Sequence, residues 1–347
     1  MAKNELKSAT SNDVADMAGV SLATVDRVLN GRRGVRHETR ERVKDAIERL
    51  GFRPDASAAN LAKRRTYQFL FVLPSRHSGF AEHLEQAVKA APAALDIERV
   101  VISIKKAEMI DHGALLAALR EIDPSEWDGI AVKATDAPGI REALDDLVDY
   151  GVPVVTLVSD VPSSKRQRYI GIDNTAAGRV AGNLMGRFLH RLEGSVGLIA
   201  GSLMIRDHVE RWVGFEQVIK ADFPHLRVLP VAESSDNCDV AGQIVERMLD
   251  EHRDLIGIYS ISAGNKGILA SLERLKPQPR PTLIVHELSP PIRRALLDGA
   301  IDAVINQDVE MEAHRALRSL IALCKNEPAL GGHDRVGIGI FLRDNLP

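Results

Sequence analysis

The chain of 347 residues has only two cysteines, Cys238 and Cys324, with no C-x-x-C spacing. That excludes a disulfide framework and a thiolate zinc site, suits a reducing compartment, and leaves each thiol to be read as a small buried apolar side chain. Aromatic residues are scarce as well, 14 or 4% of the chain, so few rings can stack on a flat ligand. No apolar run approaches the ~20 residues that span a bilayer, and the stretch Met1 to Ser11 lacks the apolar core of a secretory leader. The expected location is therefore the cytosol, without membrane contact. Also missing are a G-x-x-x-x-G-K-[ST] phosphate loop, a G-x-G-x-x-G turn behind a strand, a G-x-S-x-G elbow and an H-E-x-x-H pair. His77 and His83, six residues apart, are poorly spaced for a metal and read as exposed or capping side chains, and Asp145-Asp146 reads as a solvated helix face. No catalytic residue, cofactor or metal is expected, and the chain does not read as an enzyme.

What is present is an ordinary globular composition, 45% apolar and 27% charged, in a length that favours two or three cooperating units over one core. The net charge of −3 is unevenly spread. Residues 1–65 hold 14 Lys or Arg against 9 Asp or Glu, a net of +5 that leaves −8 for the other 282 residues. A basic head on an acidic body fits a polyanion-binding module attached to a domain that does not bind polyanions.

The head reads as short helices. Ser11 or Asn12 caps a helix with Val14, Met17 and Ala18 on one face, and Gly19-Val20-Ser21 makes a tight turn. Ser21 caps a second helix, Leu22 to Leu29, that stops at Asn30-Gly31. Two helices of about eight residues joined by a three-residue turn form a helix-turn-helix. A third helix, from about His37 to Leu50, buries Val43, Ile47 and Leu50 and ends before Pro54. Residues 55–62 have helical composition for one or two further turns, too short to hold alone. From Tyr67 the pattern changes to strand-length apolar runs alternating with amphipathic helices: 69–73, 100–104, 129–132, 154–158, 196–200, 256–261, 283–285 and 303–305. Runs buried on both faces and separated by helices mark parallel sheets, and about ten such units exceed one comfortable sheet. The fold class is α/β: a small all-α head, residues 1–54, a hinge and linker, 55–66, and two Rossmann-like lobes with parallel sheets, 67–347.

The stretch Asn12 to Ser21, then Ala23 to Asn30, Thr39 to Val43 and Leu50 to Pro54, closely resembles the head of the LacI/GalR repressors, and Ala58 to Ala62 resembles their hinge. Gly171 to Asn174, Ile199-Ala-Gly201 with Arg211 to Phe215, and Ile305 to Asp308 resemble that family's periplasmic-binding-protein-like sensor. The resemblance implies a ligand-switched repressor of carbohydrate-related genes. It would be a homodimer, with a tetramer as the alternative, bound to double-stranded palindromic operator DNA. The second helix enters the major groove, and paired hinge helices open the minor groove with Leu61 as wedge and Asn60 beside it. Leu22 and Ala23 fall where the family faces base edges and can pack on a thymine methyl. Arg27 can take the O6 and N7 of guanine or a phosphate. Asp26 departs from the family's small hydroxyl residue and can accept from cytosine or pair with Arg27 or Arg32. Thr24, Asn30, Arg32 and Arg33 suit phosphates, which position without reading sequence, and Ser21 at the helix start belongs to the same DNA-binding set.

For the sensor, the resemblance implies a cleft fed by Ser75, Arg76, Phe80, Lys133 and Asp160 from one lobe. Asp173, Asn174, Arg211, Trp212, Asn265, Glu287 and Gln307 would come from the other. Mixed donors and acceptors fit a sugar, polyol or sugar acid, with Phe80 and Trp212 as stacking platforms and Arg211 able to clamp a carboxylate or phosphate. Tyr259 to Asn265 and His286-Glu287 depart from the family's usual residues, which makes the ligand this protein's own. The rival readings are a secreted sugar-binding protein, disfavoured by the basic helical head, and an α/β enzyme, for which no motif is found.

Overall fold

The computed structural model describes residues 10–29, 37–50, 52, 66–75, 79–95, 97, 99–327 and 336–347, with the backbone alone for Ala23, Asp26, Arg27 and His37. The chain divides into two compact units at Arg65/Thr66. In the first, helices α1 (Ser11–Ala18), α2 (Leu22–Leu29) and α3 (His37–Leu50) enclose Val14, Ala15, Ala18, Val25, Val43, Ala46 and Phe52. The cap of α1 is Thr10 and not Ser11 or Asn12. Its hydroxyl accepts from the Asp13 N–H at 3.3 Å while the Asp13 carboxylate accepts from the Thr10 N–H at 2.7 Å, so two otherwise unpaired donors are satisfied reciprocally. Gly19 closes the helix at φ 60°, ψ 45°, and Ser21 receives the Thr24 N–H at 3.3 Å, which starts α2. Met17, assigned to the apolar face of α1 by spacing, is 48% exposed, because Val14, Ala15 and Ala18 already form the buried side of that helix.

Arg42 on α3 fixes this turn by donating to the carbonyls of Ala18 and Gly19, at 3.2 Å from Nε and 3.1 Å from Nη2 respectively. These are orphan carbonyls of a helix end, and a cation there also complements the helix dipole. Arg42→Ala is expected to destabilise the first unit by about 1 kcal/mol, the exposed arginine holding it below the full worth of a charged hydrogen bond. Thermal melts of residues 1–65 check this, and DNA affinity of the full chain is expected to fall without a change in ligand affinity.

The second unit has two lobes. In lobe I, β1 (Tyr67–Pro74), α4 (Gly79–Ala94), β2 (Val100–Ala107), α5 (His112–Arg120), β3 (Gly129–Val132), α6 (Pro138–Tyr150), β4 (Val154–Leu157) and β5 (Arg168–Ile170) form a five-stranded parallel sheet of order β2-β1-β3-β4-β5. Lobe II runs α7 (Asn174–Phe188), β6 (Gly194–Ala200), α8 (Arg206–Asp222), β7 (Leu226–Val228), β8 (Ala232–Glu233), α9 (Cys238–Glu251), β9 (Leu255–Ser260), α10 (Asn265–Leu275), β10 (Thr282–His286), α11 (Pro290–Leu297) and β11 (Ala303–Gln307). Its sheet, completed by β12 (Ile338–Phe341), is β12-β11-β10-β9-β6-β7, with β8 also on β6.

Alternate residues of β1 face opposite layers, as strands buried on both faces must. Phe69, Phe71 and Leu73 join α4 on one side, and Leu70 and Val72 join α5 and α6 on the other. The chain then crosses between lobes three times. After β5 it enters lobe II, after β11 it returns as α12 (Val309–Cys324), and it goes back once more as β12 (Ile338–Phe341). Helix α12 buries Val309, Ala313, Ala316, Leu317 and Leu320 against lobe I. Two findings differ from the sequence reading. Strand β12 is antiparallel to β11 in an otherwise parallel sheet. Cys238 is exposed at the start of α9, and Cys324 is half-buried with its thiol donating to the Asp128 carbonyl at 3.1 Å.

Candidate functional site

Parallel strands end together, and in an α/β sheet the groups that can meet a ligand lie beyond their carboxyl ends. Here both sheets turn those ends toward one another. Lobe I brings Lys133 and Thr135 after β3 and Ser159 after β4. Lobe II brings Arg211 and Asp207 on α8, Asn265 at the start of α10, His286 and Glu287 at the end of β10, and Gln307 ending β11. Most are buried, including Lys133, Asp207 and Arg211 at 7%, 4% and 2% exposure. One ion-pair chain joins the lobes directly: Asp136 accepts from Arg141 Nε at 2.6 Å within lobe I and from Arg206 Nη1 at 3.1 Å in lobe II, and Arg206 also pairs with Glu210 at 2.7 Å.

Buried polar atoms in folded proteins nearly all have partners. At this junction many do not. Thr135 Oγ1, Ser159 Oγ, Asp207 Oδ1, Arg211 Nη2, His286 Nδ1, Gln307 Oε1 and both oxygens of Glu312 have no hydrogen-bond partner among the described residues. The rest of the same side chains is firmly held. Arg211 donates from Nε to Asn174 Oδ1 at 2.8 Å and from Nη1 to the Ile261 carbonyl at 2.9 Å, and Asn174 in turn donates to the Tyr169 hydroxyl at 3.3 Å. Gln307 donates to Glu287 at 2.7 Å, Ser260 to Asn265 Oδ1 at 2.6 Å, and Tyr259 and His286 share a 2.7 Å bond. The backbone is strained on both sides: Val158 and Glu287, neither a glycine, sit at φ 66° and 70°. Such conformations persist where the surroundings impose them, and they gather at ligand sites.

The electrostatics follow from burial. Burial works to raise Asp207, but Lys133 from the opposite lobe, His208 and Arg211 outweigh it and hold the carboxyl at about 2, with the Ser159 hydroxyl facing it outside good hydrogen-bond geometry. Burial lowers His286 well below the ordinary imidazole value and lowers His208 as well, against the pull of Asp207. Burial also pushes Glu287 up to about 7 against the pull of Arg211 and Gln307, and lifts Glu312 well above the usual carboxyl range, with Glu287 adding to the effect.

Of the residues singled out for the cleft, the junction gathers Lys133, Asn174, Arg211, Asn265, Glu287 and Gln307. Asp160 is consumed within lobe I, where Arg166 grips it at 2.6 Å from both Nε and Nη2 and Thr156 donates to it at 2.7 Å. Asp173 caps α7, accepting from the Ala176 N–H at 2.9 Å, and lines an outer groove of about 560 Å³ with Arg179 and Arg187. Trp212 packs on the lobe II core and donates to Glu216 at 2.9 Å, and Phe80 packs on the lobe I core, so both rings are engaged in structure. Ser75 is half-buried and continues the β1 ladder to Ala107 at 2.8 Å. Arg76 lies outside the described residues. Thr135, Ser159, Asp207 and Glu312 escaped the sequence reading, and His286 entered it only as a departure from the family's usual residue. Asp207 stands one turn before Arg211 on α8, a spacing that carries the signal; Glu312 reads from sequence as one more polar residue of an amphipathic helix.

On the first unit, Leu22 is 49% exposed at the start of α2, Ser21 is exposed and Thr24 half-buried, with their hydroxyls 3.0 Å apart. Ala23, Asp26 and Arg27 lie on the same helix by backbone. Asn30, Arg32, Arg33, Asn60 and Leu61 lie outside the described residues.

Two lobes of parallel sheet joined by three crossings, with polar side chains at the facing strand ends, define a two-lobed small-molecule binding domain. Residues 69–328 match the periplasmic binding protein domain family and residues 10–55 the bacterial regulatory proteins, lacI family. The chain belongs to these families: it is a LacI-family DNA-binding transcriptional regulator, in a non-enzymatic family. It is 26% identical over 251 residues to catabolite control protein A of Priestia megaterium, covering 72% of this chain and 73% of that one. It is 34% identical over 139 residues to the HTH-type transcriptional regulator pepR1 of Lactobacillus delbrueckii subsp. lactis, 37% of this chain and 41% of that one. Among solved structures, GanP, a glucose-galactose binding protein from Geobacillus stearothermophilus, superposes with a TM-score of 0.73 at 23% identity, over 82% of this chain and 99% of that one. A putative LacI transcriptional regulator from Bacteroides fragilis does so with 0.71 at 14% identity, over 81% and 98%; these two likenesses concern the fold. No helix among the described residues is long and apolar enough to cross a membrane.

Proposed function

We propose that the protein is a cytoplasmic repressor of carbohydrate-related genes. It binds a palindromic operator as a homodimer and is switched by a sugar, polyol or sugar acid held between its lobes. The observation that carries this reading is the set of buried, unpartnered polar atoms at the facing strand ends. A polyhydroxylated molecule supplies both donors and acceptors and would satisfy them in place of water. The similar proteins support it, since GanP is a glucose-galactose binding protein and pepR1 an HTH-type transcriptional regulator.

Switching needs a ligand that prefers one lobe arrangement, and it shifts DNA affinity only by that preference. Asp136 pairs with Arg206 across the lobes and the Lys133 charge acts on Asp207 from the opposite lobe, so closing on a ligand and bringing these charges together are one event. Residues 55–66, ahead of β1, are the segment through which a changed lobe arrangement would reach the operator. A thermal-shift screen of the full chain against sugars, polyols, sugar acids and sugar phosphates tests the ligand class, because a ligand bound to the native state alone stabilises it by RT ln(1 + [L]/Kd). A panel without a single shift rejects it.

For the operator, Arg27→Ala is expected to relax discrimination by roughly 1–3 kcal/mol at one base pair, as loss of a bidentate guanine contact does. Arg33→Ala is expected to weaken all sequences alike and to flatten the slope of log K on log salt by ~0.9. Titrations on matched and mismatched duplexes at several salt concentrations check both, and identical behaviour of the two variants contradicts the assignment.

A further inference from the structure

The ligand reading of the cleft can be taken further through Glu312, on which the following rests together with that reading. Glu312 is 0% exposed on α12, and neither of its oxygens has a hydrogen-bond partner among the described residues. A buried, unpartnered carboxyl is among the more expensive features a core can hold, and a structural role does not call for one, since an apolar side chain of similar size would pack there. It feels the charges of Glu287, Arg211, Asp308 and Asp207, so it belongs to the junction of the lobes and not to a separate part of the core.

Charge is out of balance there. With all three ionised, the described carboxyls Asp207, Glu287 and Glu312 would outnumber the described cations, Lys133 acting on Asp207 and Arg211 acting on all three, and in place of a further cation Glu287 and Glu312 hold their protons. Asp207 takes most of the benefit, being held at about 2, while Glu287 rises to about 7 and Glu312 goes well above its usual range. Hydrogen-bonding capacity is out of balance in the same direction. Among the described residues of the junction, with Glu312 ionised, the unpartnered acceptors are Asp207 Oδ1, Gln307 Oε1 and both Glu312 oxygens, against one unpartnered obligate donor, Arg211 Nη2, while Thr135 Oγ1, Ser159 Oγ and His286 Nδ1 can serve in either role. A neutral sugar brings hydroxyls that donate and accept equally, and a sugar acid adds acceptors and negative charge. Neither corrects an excess of acceptors. An ammonium group, with three donors and a positive charge, corrects both.

From the unpartnered Glu312 carboxyl beside Glu287 we infer that the effector is a polyhydroxylated molecule bearing a protonated amine, which Glu312 and Glu287 receive while Arg211 Nη2 donates to one of its hydroxyls. The test uses the full chain. Thermal shift and calorimetry are run with D-glucosamine, D-galactosamine, D-mannosamine and 1-amino-1-deoxy-D-sorbitol, beside their neutral parents, their N-acetyl forms and the matching sugar acids. Binding is expected in the amine set, weaker by about tenfold or more in the matched neutral and N-acetyl compounds, the worth of one charge-assisted hydrogen bond. Glu312→Gln is expected to lose the amine by a similar factor while melting at the same temperature or higher, and Glu312→Leu to raise the melting temperature of the unligated protein. Equal or tighter binding of the neutral or acidic compounds overturns the inference and leaves the carbohydrate reading standing. Unchanged amine affinity in Glu312→Gln overturns it also, and silence across the whole panel rejects both.

Discussion

Gly178→Ala is expected to destabilise the two-lobed unit by about 3 kcal/mol, the upper part of the range for overpacking, although alanine is the better helix former by ~1 kcal/mol. A Cβ on Gly178 would stand 1.9 Å from the carbonyl oxygen of Arg211, and one on Gly214 would stand 2.1 Å from that of Thr175. Helices α7 and α8 therefore cross with backbone against backbone, and no flexible side chain lies between them to move aside. The helices must separate by more than 1 Å to reach an ordinary contact of about 3.4 Å or more. That displacement falls on the residue that anchors the cleft, since the carbonyl struck belongs to Arg211 itself. Ligand response is expected to vanish in the variant that still folds, and chemical denaturation with ligand titration checks both outcomes. A variant more stable than the parent by the helix-propensity increment would show that the crossing is looser than described.

Arg211→Ala is expected to cost about 3–5 kcal/mol and to abolish the response to ligand, because it strips the shared counter-charge from a buried acidic group. The guanidinium is 2% exposed, binds Asn174 and the Ile261 carbonyl, and acts on Asp207, Glu287 and Glu312. The sign of the pH dependence follows. Glu287 and Glu312 have folded pKa values raised above their unfolded ones, so the stability they contribute is complete below about 4.5 and is lost as pH rises, through about 7 for Glu287. Removing Arg211, which lowers both, moves that loss to still higher pH and makes it larger. Arg211→Ala is therefore expected to lose more stability relative to the parent at pH 8 than at pH 5, and Glu312→Gln to restore part of it at pH 8. A double-mutant cycle at the two pH values reads the coupling; additive effects at pH 8 would contradict it.

The fold was legible where local chemistry leaves one choice. Runs such as Gly129–Val132 are apolar on both faces and can only lie in a covered parallel sheet, and the Gly19 turn between two capped helices allows one arrangement. The strands β5, β7 and β8, of two or three residues, and the half-exposed edge strand β12 were missed, since none presents a continuous buried apolar run to read. Their pairing is set by neighbours distant in sequence, and the antiparallel β12 depends on the chain returning from lobe I. At the site, charged residues directly after strands, Lys133 and Glu287, announced themselves. Asp160 and Asp173 carried the same local signal but are spent on Arg166 and on a helix cap, which only tertiary geometry reveals. Glu312 was hidden for the opposite reason: its helix face is buried by the crossing of α12 back onto lobe I, an event no local pattern encodes.

In the proposed regulator a DNA-binding head is coupled to a ligand cleft, and one titration examines that link. Duplexes recovered from a random pool by the full chain are labelled, and their anisotropy is followed against protein with and without the compound identified by thermal shift. An inverted-repeat duplex is expected to bind the full chain, to ignore residues 66–347 alone, and to change its Kd by about tenfold or more with ligand, with the ligand's own Kd shifting by the same factor when DNA is present. Equal binding by residues 66–347, or a Kd for DNA that the ligand leaves unmoved while it demonstrably occupies the protein, would contradict the account.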